Sequence, residues 1–409
     1  MKKYWHISLV LIMMLALALS GCGGGNGGSP TPPGDGGSPT TGTISGKVLD
    51  TYNSRNYPVV GAVITAGSVT AKTGDDGSYT MQVAPGSYTV TMSAWQYVSS
   101  NTSKTVTNGE TTTADFTTEP ATVPAPISFG ETGTGASELT NPWGMYEGTD
   151  NLIYIADRDN NRIQVLDPTG TGQFVRNYGT LGTSPGQLNV PNFLVLDNMG
   201  NIYVSEISNH RIQKIIPGTV TTYQTWDCNG GTTTTYPLWY PKGIAWGPQN
   251  QLYVVSQQFS GNSVPTLAIY NPNGTYVSQM GLPAGTVPSG LAIDLKHNKM
   301  YIGDFSGKKV LVYSYNAGFW TQGTDITDPN SFGAVEGLWV DSNGYLWVAD
   351  SGMNKARVAK FDPSGRWIMK VGTGSGSYSK GVLIDHNGYL LVSVQESGGG
   401  PFRIQYFKF

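Results

Sequence analysis

A five-residue motif that recurs six times after residue 120 decides the fold. The copies read IYIAD at 153–157, IYVSE at 202–206, LYVVS at 252–256, MYIGD at 300–304, LWVAD at 346–350 and LLVSV at 390–394. Their second residues recur every 44 to 50 positions, at 154, 203, 253, 301, 347 and 391. Each copy is rich in β-branched and aromatic residues, which is typical of a buried strand. The period indicates one supersecondary unit per copy.

Each motif is flanked by further strand patterns. An upstream strand such as GIAW at 243–246 ends in several copies in an Asn-Gly-type turn, and a third strand such as RIQVLD at 162–167 follows the motif. Four strands in each of six units predict a six-bladed β-propeller over residues 120–409, because neighbouring blades bury each other's faces. The sixth unit supplies only three strands. We expect ISFG at 127–130 to complete it and close the ring, which removes exposed sheet edges.

The repeated pattern resembles the NHL repeat, a family of β-propeller units. The resemblance rests on the strand motif itself, the acidic residue that ends it and the arginine-led strand that follows, and it is strong in the first, second and fifth copies. The third copy lacks the acidic residue and the arginine. RNA binding, known for some NHL propellers, requires a basic face that this chain lacks.

Residues 43–119 predict a small β-sandwich. The segment alternates apolar and polar residues in ISGKVL at 44–49, and TGDDGSY at 73–79 is a hairpin signal. The order of these strands and turns resembles the carboxypeptidase regulatory-like (transthyretin-like) domain, whose members are mostly spacers or accessory modules. We therefore expect a spacer. A carbohydrate-binding alternative requires exposed aromatic side chains, for which the candidates are Trp95, Tyr97 and Tyr52.

The N-terminus predicts secretion and a lipid anchor. Residues 1–21 carry two lysines and then an apolar stretch too short to span a bilayer comfortably, as in a signal peptide. The sequence LSGC at 19–22 resembles a bacterial lipobox, which implies cleavage before Cys22 and its acylation. Gly23 rather than Asp follows, which by resemblance to Gram-negative sorting rules favours the outer membrane. Residues 22–42 are rich in Gly, Pro and Ser and predict a disordered tether.

Charge and cysteine content exclude several classes of protein. Lys and Arg number 24 against 27 Asp and Glu, and only 12% of residues are charged. Such a surface is a poor partner for nucleic acid, because that affinity depends on basic residues neutralising phosphates. Two cysteines exclude a disulfide-rich scaffold and a multi-cysteine zinc site. We expect a monomer whose partners are the membrane, through the acyl anchor, and a glycan or protein ligand.

The propeller topology separates two faces. The turns that join the first strand to the second and the third to the fourth lie on one face, which we call the tight-turn face. The turns that join the second strand to the third, and the blade-to-blade connections, lie on the opposite face, which we call the long-loop face. We predict ligand binding on the long-loop face, because long loops on a fixed scaffold commonly carry binding sites. The predicted residues are three aromatics and six side chains that ring the channel mouth: Trp226, Trp239, Tyr240, Trp143, Asn192, Lys242, Ser289, Glu336 and Lys380.

Two interpretations of this ring remain open. Hydrogen-bonding side chains beside an aromatic wall suit a neutral or zwitterionic ligand. Alternatively, the six residues simply plug a hydrated channel.

An enzyme is the alternative to a binding protein. Amidating-lyase and lactonase propellers bind zinc or calcium at the channel, but here His297 and His386 fall in tight turns while His210 lies on the other face. Two lysines and one glutamate in the ring also repel a divalent cation. We therefore predict no catalytic residue, metal or cofactor, and keep a propeller hydrolase or lyase with an unrecognised metal site as the alternative.

The recurrent acids that end the motifs predict a structural role. Asp and Asn cap turn amides by their own chemistry. We expect the arginines that follow to pair with these acids or with nearby carbonyls. The residues concerned are Asp157, Glu206, Asp304, Asp350, Arg162, Arg211 and Arg357.

Overall fold

The computed structural model describes residues 41–51, 56–121, 123, 125–169, 172–218, 220–227, 239–257, 264–329, 331–352, 357–373, 377–396 and 400–408. The predicted signal peptide, Cys22, Tyr52 and the tether as far as residue 40 lie outside these ranges. The described chain is all-β apart from a 3-10 turn at Pro248–Asn250. Within these ranges, no helix has the length and apolar character needed to cross a membrane.

The N-terminal strands form a two-sheet sandwich, as predicted. Strand β1 pairs antiparallel with β2 and β5 and parallel with β8 and β9, and the second sheet has the order β4-β3-β6-β7. The strands are β1 (Gly42–Asp50), β2 (Tyr57–Pro58), β3 (Val63–Ala66), β4 (Val69–Lys72), β5 (Ser78–Val83), β6 (Gly86–Ser93), β7 (Ser100–Val106), β8 (Thr111–Thr113) and β9 (Phe116–Thr118). Alternate residues, such as Ile44 and Val48 on β1, are buried between the sheets.

Six four-stranded antiparallel sheets follow, which confirms the six-bladed propeller. Blade one contains β13 (Pro142–Glu147), β14 (Ile153–Asp157), β15 (Arg162–Asp167) and β16 (Gln173–Tyr178). Blade two contains β17 (Pro191–Leu196), β18 (Ile202–Glu206), β19 (Arg211–Ile216) and β20 (Thr222–Asp227). Blade three contains β21 (Tyr240–Gly247), β22 (Gln251–Gln257), β23 (Thr266–Tyr270) and β24 (Tyr276–Gly281).

The remaining blades complete the ring. Blade four contains β25 (Pro288–Asp294), β26 (Lys299–Asp304), β27 (Lys309–Asn316) and β28 (Phe319–Gln322). Blade five contains β29 (Val335–Val340), β30 (Leu346–Asp350), β31 (Arg357–Phe361) and β32 (Trp367–Gly372). Blade six contains β33 (Tyr378–Ile384), β34 (Leu390–Gln395), β35 (Phe402–Phe407) and the N-terminal β10 (Ile127–Phe129). A short parallel pair, β11 (Glu131–Thr132) and β12 (Glu138–Leu139), precedes blade one.

The ring closes as the sequence predicts. Strand β10 pairs antiparallel with β35, with Ile127 opposite Tyr406 and Phe129 opposite Ile404. Phe129 is 4% exposed and belongs to the core between blades six and one. The first and last propeller strands therefore share one sheet, in which β10 is the outermost strand and covers the edge of β35.

The inner strands of neighbouring blades pack backbone to backbone around the channel. A Cβ atom added at Gly381 would lie 2.1 Å from the carbonyl oxygen of Trp143, and one at Gly337 would lie 2.6 Å from that of Lys380. Glycine is required there because any side chain would collide with the backbone of the next blade.

The sandwich packs directly against the tight-turn face of the propeller. Its core is continuous with that of blades five and six. The Val60 amide donates a 2.8 Å hydrogen bond to the hydroxyl oxygen of Tyr345, and the Trp95 ring lies 5.5 Å from that of Trp347. The two domains therefore share buried apolar surface that stabilises their arrangement.

Candidate ligand site at the channel mouth

The inner strands bring the predicted ring residues together at the long-loop end of the channel. The Lys380 ammonium lies 3.1 Å from Oε1 of Glu336, whose side chain is 3% exposed. The Ser351 hydroxyl donates a 3.3 Å hydrogen bond to the same oxygen. The single carboxylate of the ring is thus held by blades five and six.

Two cations pack against the indole ring of Trp143. The Arg158 guanidinium lies 4.8 Å from the ring centroid, and the Lys380 ammonium lies 5.0 Å from it. The indole N–H donates a 3.1 Å hydrogen bond to Oδ1 of Asn141. Arg158 was missed by the sequence analysis, although it directly follows the acidic residue of motif one and so falls on the long-loop face.

Lys242 differs from Lys380 in the partners of its ammonium group. Its ammonium makes no ion pair or hydrogen bond with another residue in the described part of the chain. Burial lowers the pKa of Lys242; Glu336 opposes this shift, while Arg158 and Lys380 add to it. A buried ammonium near two other cations is stabilised by an incoming negative charge.

Asn192 and Ser289 differ in what they offer a ligand. Asn192 is 0% exposed, and neither its amide nitrogen nor its amide oxygen has a hydrogen-bond partner among the described residues. An unpaired buried polar group costs about 1–3 kcal/mol, so a partner from a ligand or water is favourable. The Ser289 hydroxyl proton already has an acceptor, because it forms a 2.7 Å hydrogen bond with the Val335 carbonyl.

The mouth therefore carries an excess of positive charge. Arg158 and Lys380 lie against the Trp143 ring, Lys242 is within electrostatic reach of both, and Glu336 is ion-paired with Lys380. Fixed charges at a partly desolvated mouth act more strongly than the same charges in bulk water. Arg158 adds a positive charge to the mouth that the sequence analysis did not count.

Two of the three predicted aromatics remain on the long-loop face. Trp239 is 43% exposed, and its ring lies 5.6 Å from that of His210, which also lies 5.2 Å from Tyr240. The Trp239 carbonyl contacts Nδ1 of His210. These three rings form an aromatic ledge, defined by Trp239, Tyr240 and His210.

Trp226 does not join that ledge. The sequence analysis predicted Trp226 among the loop aromatics of the long-loop face, but it lies in β20, opposite Ile212. Its ring lies 5.6 Å from Tyr203 and 6.4 Å from Tyr270 of the next blade. The large apolar indole stabilises the packing of blades two and three.

The recurrent acids have the predicted structural role. Asp157 accepts the Thr140 amide at 2.7 Å and Nε of Arg162 at 2.7 Å. Glu206 accepts Nε of Arg211 at 2.6 Å, and Asp350 that of Arg357 at 3.0 Å. These carboxylates therefore hold the blade-to-blade connections, as the amides of Thr140, Asn189 and Ala334 show.

The residues at the mouth do not fit a zinc or calcium ion. Zinc requires about three converging His, Cys or carboxylate ligands, and calcium about six oxygens. The described chain contains no cluster of three or more His, Cys, Asp or Glu suited to a metal ion. The three described histidines have separate partners: His297 contacts Asp294, His386 contacts Glu147, and His210 belongs to the aromatic ledge.

Three family models match parts of the chain. The carboxypeptidase regulatory-like domain matches residues 43–119, the NHL repeat matches 139–166, and the SMP-30/gluconolactonase/LRE-like region matches 244–379. The chain thus contains a carboxypeptidase regulatory-like domain followed by a propeller with NHL and gluconolactonase-like similarity.

Curated relatives share the repeats. NHL repeat-containing protein 3 of Mus musculus is 26% identical over 194 residues, which cover 45% of this chain and 53% of the relative. Protein brain tumor of Drosophila melanogaster is 30% identical over 155 residues, covering 37% of this chain and 14% of that protein. The chain spans about half or less of the length of these relatives.

Solved structures show the same fold. A gluconolactonase of Xanthomonas campestris superposes with a TM-score of 0.51 at 14% identity, covering 70% of this chain and 99% of that one. A luciferin-regenerating enzyme superposes with a TM-score of 0.51 at 13% identity, covering 66% and 92%. At this identity the likeness extends to the β-propeller architecture alone.

Proposed function

We propose that the protein is an envelope-anchored, monomeric binding protein whose channel mouth takes a negatively charged group of a glycan or protein ligand. The observation that carries the proposal is the cluster of three cations at the mouth, Arg158, Lys242 and Lys380, where the Glu336 carboxylate is already ion-paired with Lys380. A carboxylate or phosphate entering this mouth gains the partner that Lys242 lacks. It also offers acceptors to the buried Asn192 amide.

The aromatic ledge extends the site beyond the charge. Tyr240 and Lys242 belong to the same strand, β21, so the ledge begins at the rim of the mouth. Exposed Trp and Tyr rings bury apolar area at a low cost in conformational entropy. A ligand that carries an acidic group next to an apolar ring face therefore suits the long-loop face best.

The membrane anchor of this proposal rests on the N-terminal sequence. Acylation of Cys22 supplies about 0.8 kcal/mol per buried CH₂ of each acyl chain. Replacing Cys22 with Ala is expected to move the protein from the membrane to the soluble fraction. Retention of Cys22→Ala in the membrane fraction would overturn the lipoprotein assignment.

Calorimetric titration tests the charged site directly. The probes are galacturonate, its neutral counterpart galactose, and N-acetylglutamate as a peptide-like carboxylate. We expect the acidic probes to bind more tightly than galactose, and Lys242→Gln to weaken that binding at least about tenfold by removing a buried charge partner. Glu336→Gln is expected to strengthen binding of the acidic probes, because it removes the carboxylate that pairs with the Lys380 ammonium. Lys72→Gln, an exposed position on the sandwich, is the matched control.

Two results would contradict the binding proposal. One is equal affinity for galactose and both acids. The other is an equal loss of affinity in Lys242→Gln and Lys72→Gln.

A propeller hydrolase is the second candidate. The match of residues 244–379 to the SMP-30/gluconolactonase/LRE-like model favours it. Lactone hydrolysis assayed with and without added Ca²⁺ or Zn²⁺, together with elemental analysis of the purified protein, separates the two. Turnover above the uncatalysed rate, or stoichiometric metal that survives chelation, would support the enzyme over the binding protein.

A further inference from the structure

A second concavity lies on the tight-turn face, between the sandwich and blades five and six. Its volume is about 490 Å³, within the range of small-molecule sites. We call it the interdomain groove. Its lining comprises one sandwich residue, Trp95, and propeller residues that include Glu147, Trp339, Ser342, His386 and Asn387. The propeller supplies most of the groove, and the docked sandwich adds the Trp95 side chain to its lining.

Two indole rings wall the groove, one from each domain. Trp95 lies between β6 and β7, and its ring is held against Trp347 at 5.5 Å. Trp339 lies on β29, where Tyr146 packs edge-on against it at 5.7 Å. Both indoles are partly exposed. Their positions are set by packing, so a ligand that stacks on them orders few new side-chain rotations.

The floor and rim of the groove are polar with compensated charges. Glu147 accepts the His386 backbone amide at 2.7 Å and its Nδ1 at 2.6 Å. Asp341 and Asp385 are buried and accept turn amides. The side chains that face solvent are uncharged hydroxyl and amide groups, Ser342 and Asn387, together with the exposed imidazole of His386.

We propose that the interdomain groove binds a neutral saccharide. A pyranose ring presents a C–H face that stacks on an indole and a rim of hydroxyls that pair with amide, hydroxyl and imidazole groups. The groove supplies both kinds of surface, from Trp95 and Trp339 and from Ser342, His386 and Asn387. The sandwich thereby completes a binding site on the propeller, at the opposite end of the channel from the charged mouth.

Other ligand chemistries suit the groove less well. An anion would approach three carboxylates, Glu147, Asp341 and Asp385. A purely apolar ligand would strip water from Ser342, His386 and Asn387 without replacing their hydrogen bonds, which is costly. A neutral polyhydroxylated ring avoids both penalties.

Binding of neutral oligosaccharides to the full chain tests the proposal. The probes are cellotetraose, maltotetraose, xylotetraose and chitotetraose, measured by tryptophan fluorescence and calorimetry. At least one is expected to bind. Trp95→Leu and Trp339→Leu keep apolar packing but remove the stacking face, and should each weaken binding about tenfold. Trp246→Leu, which changes an indole that lines the channel outside the groove, should leave affinity unchanged.

A further variant keeps the test valid if the indole substitutions disturb folding. Asn387→Ala alters an exposed turn side chain and should weaken binding severalfold at an unchanged melting temperature. Binding of none of the four probes, or unchanged affinity in a folded Asn387→Ala and in both folded groove-tryptophan variants, would overturn the saccharide site. Affinity of the wild type for galacturonate at the channel mouth is an independent readout and does not bear on this outcome.

Discussion

The ammonium of Lys360 in blade five donates a 3.1 Å hydrogen bond to Oε1 of Gln96 in the sandwich, across the boundary between the two domains. Four aromatic rings surround this ammonium, with centroids 4.0 to 5.8 Å away: Tyr345, Trp347, Trp95 and Tyr97. Lys360 is 1% exposed. A fully desolvated cation in an aromatic cage is stabilised by the ring quadrupoles, but it still bears the cost of losing its hydration.

The cage predicts that stability depends on pH through Lys360. Burial lowers the pKa of Lys360 to about 8, although Asp341 and Asp50 act in the opposite direction. Between about pH 8 and pH 10 the unfolded chain holds a proton that the folded chain has released, so the free energy of unfolding rises with pH. The full shift corresponds to about 3 kcal/mol. Lys360→Met abolishes this dependence.

Urea unfolding at pH 7, 8, 9 and 10 measures the effect. We expect the wild type to gain stability relative to Lys360→Met as the pH rises through this range. Lys72→Met, at an exposed site, should track the wild type. A wild-type advantage that stays constant or falls with pH would show that Lys360 is not titrating as described.

Breaking a buried ion pair should destabilise the propeller strongly. Arg211 pairs with Glu206 at 2.6 Å and donates to the carbonyls of Thr183 and Gln187. Arg211→Met leaves the 0% exposed carboxylate of Glu206 without its cation, which typically costs about 3–5 kcal/mol. Lys47→Met breaks an exposed pair at 3.6 Å and should cost less than about 1 kcal/mol. Equal midpoints of chemical denaturation for the two variants would contradict this ranking.

Because β10 closes the ring, we expect truncation of a buried side chain in β10 to destabilise blade six, although the two are far apart in sequence. Phe129 packs against Tyr406 at a ring separation of 6.4 Å, and its truncation opens a cavity at the seam. Phe129→Ala should lower the free energy of unfolding by about 3–5 kcal/mol. Phe319→Ala, at a 74% exposed position, should change it by less than about 0.5 kcal/mol. Thermal unfolding that does not separate these two variants would argue against a seam closed by β10.

The blades, their number and the way the ring closes could be predicted from the sequence. Each motif carries its own strand pattern and turn residues, so these features are local and repeat with the chain. The repeat also placed Lys242, Glu336 and Lys380 at one end of the channel, because equivalent positions in a ring point to the same mouth.

The other residues that meet at the mouth, and the way the two domains are joined, could not be predicted from the sequence and are seen only in the folded chain. Arg158 lies at the mouth because a turn of blade one places it there, and Trp226 packs between blades two and three rather than in a loop. Lys360 and Gln96 meet across the domain boundary although they are 264 positions apart and carry no shared local pattern. Contacts of this kind follow from the packing of whole surfaces, whose complementarity no short stretch of sequence encodes.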